Sequence, residues 1–587
     1  MDSLKRSPIK SIVGPNNGDL QFVGRRVLVG GWVKSFHVRP KKEVVIDSGG
    51  ADVAPRDLKC AESLFLRFPL FRCIVKVLSP GVHPVGEKLE AVMEKKMEGT
   101  AYIRINDGSC VNNFQIVLDS DVHPLEQVTA IGTSVLLEGI IEKAQTEGKY
   151  TIELKADKVL HVGLVNPVKY PLSKPRLSFE AIRVYPHFRA RTTTVASVMR
   201  IRSALICSTH KFFQENNFQQ VTMPIITTTP TKDHTAFHIT QLISNSTHDK
   251  TPDDGVTLEG VQAAIQEKTK RIEELKRSNS NKEAVFTAEQ DLKAANEIAQ
   301  KLEKEKKMEK AVKADFSKDY FGREAYLSVD AGLHLESYAC ALGAVYHFGP
   351  VFRPVEHHLN KSLAETWVVS TEQVFAELEC AMKCAEDCLK SLSNSILTAC
   401  PDDVKFLSTR FDNKCMDRIQ AVLPEGTFPR VSYTEAVEAL EKASGTTFQT
   451  KVEWGITLSD EHQRYLADEL HNKPIIVYNY PKDLKPFYSR LNDDTKTVSA
   501  FDVILPKVGT VVSGIQKEER NYMISSRIKE VGLAEEQFDW YLDLRRHGTV
   551  KHAGFQINFD QLVMFLTGFG DIRDVVPYPR TKNDAKC

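Results

Sequence analysis

RRVLVGGWVKSF (Arg25–Phe36), AYIRINDGSC (Ala101–Cys110), NFQIVLDS (Asn113–Ser120), SVLLEGIIEKA (Ser134–Ala144) and KYTIELKADKVLHVG (Lys149–Gly163) decide the fold of the first part of the chain. Each is a short run rich in β-branched residues, and Gly, Asn and Asp break one run from the next. Five strands at this spacing suit a small closed barrel of the OB type, a common platform for single-stranded nucleic acid. A β sandwich gives the same string of strands, so periodicity alone leaves both open.

Outward from these strands the chain changes character. Residues 1–24 read as a tail. Residues 40–98, with Pro, Gly and basic runs such as Glu94–Thr100, read as an insertion between the first two strands of a domain over 25–165. NPVKYPLSKPRLSF (Asn166–Phe179) is punctuated by proline and predicts a semi-rigid hinge over 166–190. From about Val195 long helices alternate with strands, and 191–587 reads as a second domain. Inside it, residues 255–313 form a predicted helical hairpin. Val261, Ile265, Ile272 and Leu275 make one apolar stripe, SNSN (Ser278–Asn281) turns, and Leu292, Ala295, Ile298 and Leu302 make the second stripe. Its mildly basic outer face reads either as a solvated surface or as an RNA contact.

With 587 residues the chain is too long for one core and predicts two to four domains. Lys plus Arg and Asp plus Glu both number 77, so any nucleic-acid surface is a local patch and not a global field. The eleven cysteines include no CxxC pair, and their odd count without a framework points to a reducing compartment. Cys380, Cys384 and Cys388 fall at helical spacing on one face. They read as buried small apolar side chains or as a thiolate metal site. No run approaches a membrane span, and MDSLKRSPIKSIVG lacks the apolar centre of a secretory signal, so the expected location is the cytosol.

MRIRSALICSTHKFFQENNFQQVTMPIITTT (Met199–Thr229) and DYFGREAYLSVDAGLHLESYACALGAVYHFGPVFR (Asp319–Arg353) resemble the first two motifs of the asparaginyl-tRNA synthetases. EWGITLSDEHQRYLADE (Glu453–Glu469), KPIIVYNYPKDLKPFYSRLNDDTKTVSAFDVILP (Lys473–Pro506), WYLDLRRHGTVKHAGF (Trp540–Phe555) and FLTGFGDIRDVVPYPRT (Phe565–Thr581) continue the likeness over nearly the whole chain outside 40–98. It implies an α+β fold: an N-terminal OB-type anticodon-binding barrel and a class II catalytic domain, an antiparallel sheet flanked by helices with the hairpin inserted. The hairpin resembles a WHEP-type appendage. A homodimer through the motif-1 region around Pro224, tRNA as partner, and ATP with magnesium follow from the same likeness. No Rossmann glycine motif and no HIGH or KMSKS pair is present, which excludes the class I architecture.

The family reaction joins asparagine to ATP as an adenylate and then acylates tRNA. Two anions must meet, so positioning and positive charge carry the catalysis. By the resemblance, Arg353 is the motif-2 arginine on the α-phosphate, Asp502 one magnesium ligand, and Glu336 and Glu365 residues of the asparagine site. Other positions depart from the pattern. Gln561 stands for the motif-3 arginine, Thr510 for the metal-binding glutamate, and Val355 for a glutamate that helps read adenine. Lys517 stands for an arginine on the substrate side chain. Lys361 and Ser362 replace an Arg-His pair at the nucleotide, and Gly332 replaces a glutamine. Losing one preorganised donor typically costs about 10²–10³ in rate. Two main readings stand: an asparagine–tRNA ligase, and a weak or silent paralogue acting as an RNA-binding or regulatory protein. A ligase of free amino acids without tRNA leaves the barrel and hairpin with no purpose.

Overall fold

The computed structural model describes residues 5–14, 20–41, 97–144, 150–174, 177–229, 236–242, 258–277, parts of 285–296, 315–355, 361–424, 426–443 and 448–586. Most of the insertion read over 40–98, most of the loop after motif 1 and much of the second hairpin helix lie outside them. The first hairpin helix spans Leu258–Arg277.

The five runs form β1 (Arg26–Pro40), β2 (Gly99–Asn106), β3 (Phe114–Asp119), β4 (Ser134–Lys143) and β5 (Ile152–Gly163), closed in the order β1-β2-β3-β5-β4. Alternate residues such as Ile103, Ile105, Ile116, Leu137 and Leu154 fill the interior. A short helix, Ile9–Val13, packs Ile9, Ile12 and Val13 into that same core. Its Ile9 amide donates to Asp107 (3.0 Å) and its Lys10 amide to Ser109 (2.9 Å). The segment expected as a tail therefore supplies part of the barrel's interior.

The second domain adds β6 (Gln219–Gln220), β7 (Ile226–Thr227), β8 (His238–Ile239), β9 (Ala325–Leu327), β10 (Ala344–Phe352), β11 (Glu365–Val374), β12 (Arg430–Ser432), β13 (Ile475–Pro481), β14 (Thr497–Leu505), β15 (Gly509–Gln516) and β16 (His552–Asn558). Eight of these make one sheet in the order β12-β13-β14-β15-β16-β11-β10-β6, antiparallel except for its two outermost pairs. The strand β14 is buried at every position, as expected of a strand covered on both faces. The helices Thr193–Glu215 and Leu378–Ala399 bury Ile201, Leu205, Leu389 and Ile396 against Val503, Val512 and Ile557. Thr192 caps the first of them by accepting from the Val195 amide. One sheet face thus belongs to the core, and the other is free to carry polar side chains.

Candidate active site

Four neighbouring strands set Asp502 (β14), Ser513 (β15), Gln556 (β16) and Ser370 (β11) opposite one another. Residues paired in register share a face, so this is a polar row on the side away from the helices. A cavity of about 540 Å³ lies over it, lined among others by Asp330, Arg353, Glu372, Lys485, Tyr488 and Lys517. Its floor depends on Gly554, where an added Cβ would meet the Thr371 carbonyl at 2.0 Å. Only glycine lets β16 lie this close to β11.

Most charges at this cavity are already matched. Lys517 is buried and donates to the Gly332 carbonyl (2.7 Å), and it pairs with Glu372 (2.9 Å) and Glu336 (3.3 Å). Three N–H groups meet three acceptors, so the ammonium has no donor left over. Glu336 is fully buried and accepts from the Tyr541 hydroxyl (2.5 Å) while pairing with Arg545 and His552. Burial alone would raise its pKa, but Lys517, His552 and Arg545 outweigh that and hold the carboxyl well below the usual range. For Glu372, equally buried, desolvation prevails and the pKa is raised. Its Oε1 has no hydrogen-bond partner among the described residues. Asp330 accepts from Tyr488 (3.0 Å), Gln556 (3.3 Å) and the Gly332 amide (2.9 Å). The Tyr488 hydroxyl, buried and beside that carboxylate, is pushed well above its ordinary pKa.

Arg353 is different. It follows β10 directly and lines the cavity, and its guanidinium donates only to the Val329 carbonyl (3.2 Å), with no carboxylate paired to it among the described residues.

Three expected site residues change meaning in this geometry. Asp502 places both oxygens 2.8 Å from Lys485, so the carboxylate expected to hold magnesium already holds an ammonium. Glu336 stands behind the cavity wall as the centre of a buried ion cluster. Lys517 belongs to the wall, but its donors serve Glu336 and Glu372 and not a ligand. Thr510, where the family has a metal-binding glutamate, donates to Gln463 (3.1 Å). No group of three His, Cys, Asp or Glu side chains able to hold a metal occurs among the described residues. The described residues do not fit a magnesium ion held by the protein.

Gln561, Lys361 and Thr510 gather away from the cavity lining. The Gln561 amide nitrogen lies 3.5 Å from the Lys361 carbonyl, and the Lys361 ammonium pairs with Asp460 (2.9 Å). Lys361 and Gln463 both approach Gly509, and the amide of the next residue, Thr510, donates to the Gln463 side-chain oxygen (2.9 Å). Gln561 sits in the first turn of the helix Phe559–Thr567, its amide capped by Asn558 (3.2 Å). Glu365 opens β11 opposite Phe352 and does not line the cavity. Glu372, further along the same strand, does line it, and the sequence reading passed it over. Glu365 and Glu372 are an odd number of residues apart on one strand and face opposite ways. Alternation from Ser370 would have picked out the second.

The family described as "tRNA synthetases class II (D, K and N)" matches residues 300–582. The protein named "Asparagine--tRNA ligase, cytoplasmic 2" of Arabidopsis thaliana is 42% identical over 98% of this chain and 95% of its own. "Asparagine--tRNA ligase, cytoplasmic 1" of the same organism is 42% identical over 82% and 86%. An asparagine–tRNA ligase of Picosynechococcus is 37% identical over 84% and 95%. The fold resembles that of asparaginyl-tRNA synthetase from Pyrococcus horikoshii complexed with asparaginyl-adenylate, with a TM-score of 0.67 at 20% identity over 99% of each chain. The Entamoeba histolytica enzyme gives 0.64 at 17% identity over 95% and 96%. The family match and these relatives make the chain a class II tRNA synthetase. Within that class, the chain belongs to the asparagine–tRNA ligase family.

Proposed function

We propose that the protein activates asparagine with ATP and transfers it to tRNA(Asn) in the cytoplasm. The observation that carries this reading is Arg353, a guanidinium at the cavity that no described carboxylate neutralises. A planar fork there can grip a phosphate oxygen and a carboxylate oxygen together, which brings two mutually repelling anions into line. Glu372, held by Lys517 with one oxygen unpartnered, suits the N–H groups of a carboxamide or an ammonium. The relatives named as asparagine–tRNA ligases along nearly the full chain support the same substrate.

In this mechanism asparagine enters beside Glu372, and ATP presents its α-phosphate to Arg353. The asparagine carboxylate attacks the α-phosphorus in line and pyrophosphate leaves; a hydroxyl at the tRNA 3′ end then attacks the acyl carbon of the adenylate, giving up its proton as AMP departs. The buried cluster around Glu336 keeps Lys517, and through it Glu372, in one place. The barrel takes the tRNA, with the hairpin as a further contact. Ile225 and Ile226, exposed beside Pro224, favour a homodimer through that region.

Pyrophosphate exchange with and without asparagine, followed by charging of tRNA(Asn), tests the reading. Asparagine-dependent exchange is the expected outcome. Exchange no greater with asparagine than without it would leave a silent paralogue that only binds RNA.

A further inference from the structure

The connector between barrel and catalytic domain is fastened on both sides. On the catalytic side Arg183 donates to Asp574 (2.8 Å), and the buried Arg189 donates to the Arg573 carbonyl (2.9 Å) and to that of Val576. On the barrel side the Tyr170 ring covers Gly132, whose φ is +91° and where a Cβ would fall 2.4 Å from the ring. Between the two attachments stands Arg191. Its guanidinium carbon lies 5.0 Å from the Phe188 ring centre, 5.6 Å from Trp32 and 5.9 Å from Tyr170. Trp32 belongs to β1 of the barrel, and the other two rings to the connector. The carbonyl of the same Arg191 accepts from Lys34, also on β1. Burial, then Arg191 and Arg200, press the Lys34 pKa down to about 8.

We propose that Arg191 is a positioning residue for tRNA: a cation held among three aromatic rings that fixes the bearing of the barrel on the catalytic domain. A guanidinium stacked on rings from both sides of a joint resists rotation about it, because any swing withdraws at least one ring. Arg200 makes a second tie from the helix Thr193–Glu215, donating to the Gly108 carbonyl of the barrel (2.7 Å) and pairing with Asp403 (2.6 Å). The segment read as a semi-rigid hinge is thus a strut, and the distance from barrel to cavity is set before tRNA arrives. Where tRNA is concerned the proposal rests on the ligase reading above, but the strut itself does not.

The test uses the full chain as wild type, Arg191→Ala and Arg191→Lys. Asparagine-dependent exchange needs only the catalytic cavity, whereas charging needs both domains in register. Arg191→Ala is expected to leave exchange within about twofold of wild type and to raise the KM for tRNA about tenfold, the scale of a desolvated cation–π contact. Arg191→Lys, which keeps the charge, is expected to recover part of that loss. A tRNA KM within twofold of wild type overturns the proposal, as does a parallel fall in exchange and charging. Should the wild type catalyse no exchange, the ligase reading fails, and small-angle scattering then decides the strut. A larger radius of gyration in Arg191→Ala supports it, and a superimposable curve refutes it.

Discussion

The ring of His552 lies 3.0 Å through Nε2 from the buried Glu336 carboxylate, while its Nδ1 lies 2.7 Å from the Val550 carbonyl. A ring set between a carbonyl and an ionised carboxylate is in a place that favours the imidazolium. Burial opposes that charge, but Glu336 outweighs it and the pKa is raised. A raised folded pKa gives stability that is complete below the unfolded value of about 6.5 and is lost as pH climbs through the folded one. The thermal midpoint is therefore expected to fall as pH rises from about 6.5, and His552→Asn is expected to flatten that slope. Calorimetry across the range reads it directly. An equal slope in both proteins would mean that the ring is neutral.

Glu372→Gln keeps the shape and removes the charge. We expect kcat/KM for asparagine in exchange to drop roughly 10-fold to 100-fold, with the KM for ATP unchanged. Stability should fall by about 1–3 kcal/mol, since Lys517 would keep only Glu336 as a charged partner. Steady-state kinetics in both substrates, alongside chemical denaturation, separates the effects. A raised KM for ATP would place Glu372 at the nucleotide instead.

Arg353→Ala is expected to lower the exchange rate by about 10²–10³. Arg353→Lys should restore only part, because an ammonium cannot grip two oxygens in a plane. Pre-steady-state measurement of adenylate formation gives the numbers. Near-normal rates in the alanine variant would remove Arg353 from the chemistry.

Gln561→Arg combined with Thr510→Glu returns two charges that the family pattern holds. Thr510 contacts Gln463, and Gln561 lies beside Lys361, so both substitutions fall in one neighbourhood. The exchange rate is expected to rise about tenfold, within the range one preorganised charge contributes. A flat rate in a folded double variant would show that the loss of charge here does not limit the reaction.

The barrel was legible because each of its strands is a local signal. The run at Ser134–Ala144 reappears as Ser134–Lys143, and that at Asn113–Ser120 as Phe114–Asp119. The helix Ile9–Val13 was not, since five residues carry too little periodicity and its partners lie about a hundred residues away. Arg353 was found because a motif announces it. Lys485 was not, because its meaning comes from Asp502 on β14, which the fold and not the sequence spacing brings beside it. The cysteine stripe shows the limit of a four-residue repeat: each step turns the helix by about 40°. Cys388 is buried, Cys384 half-buried and Cys380 exposed, so the three thiols share no common site.

The short helix that enters the barrel also bears on how the chain assembles. Its three apolar side chains emerge from the ribosome well before Asp107 and Ser109, the groups that receive its first two amides. Until β2 and the loop after it have been made, Ile9, Ile12 and Val13 have no interior to enter. During synthesis this peptide is thus a greasy segment awaiting its socket, and a suitable hold for chaperones that bind nascent chains.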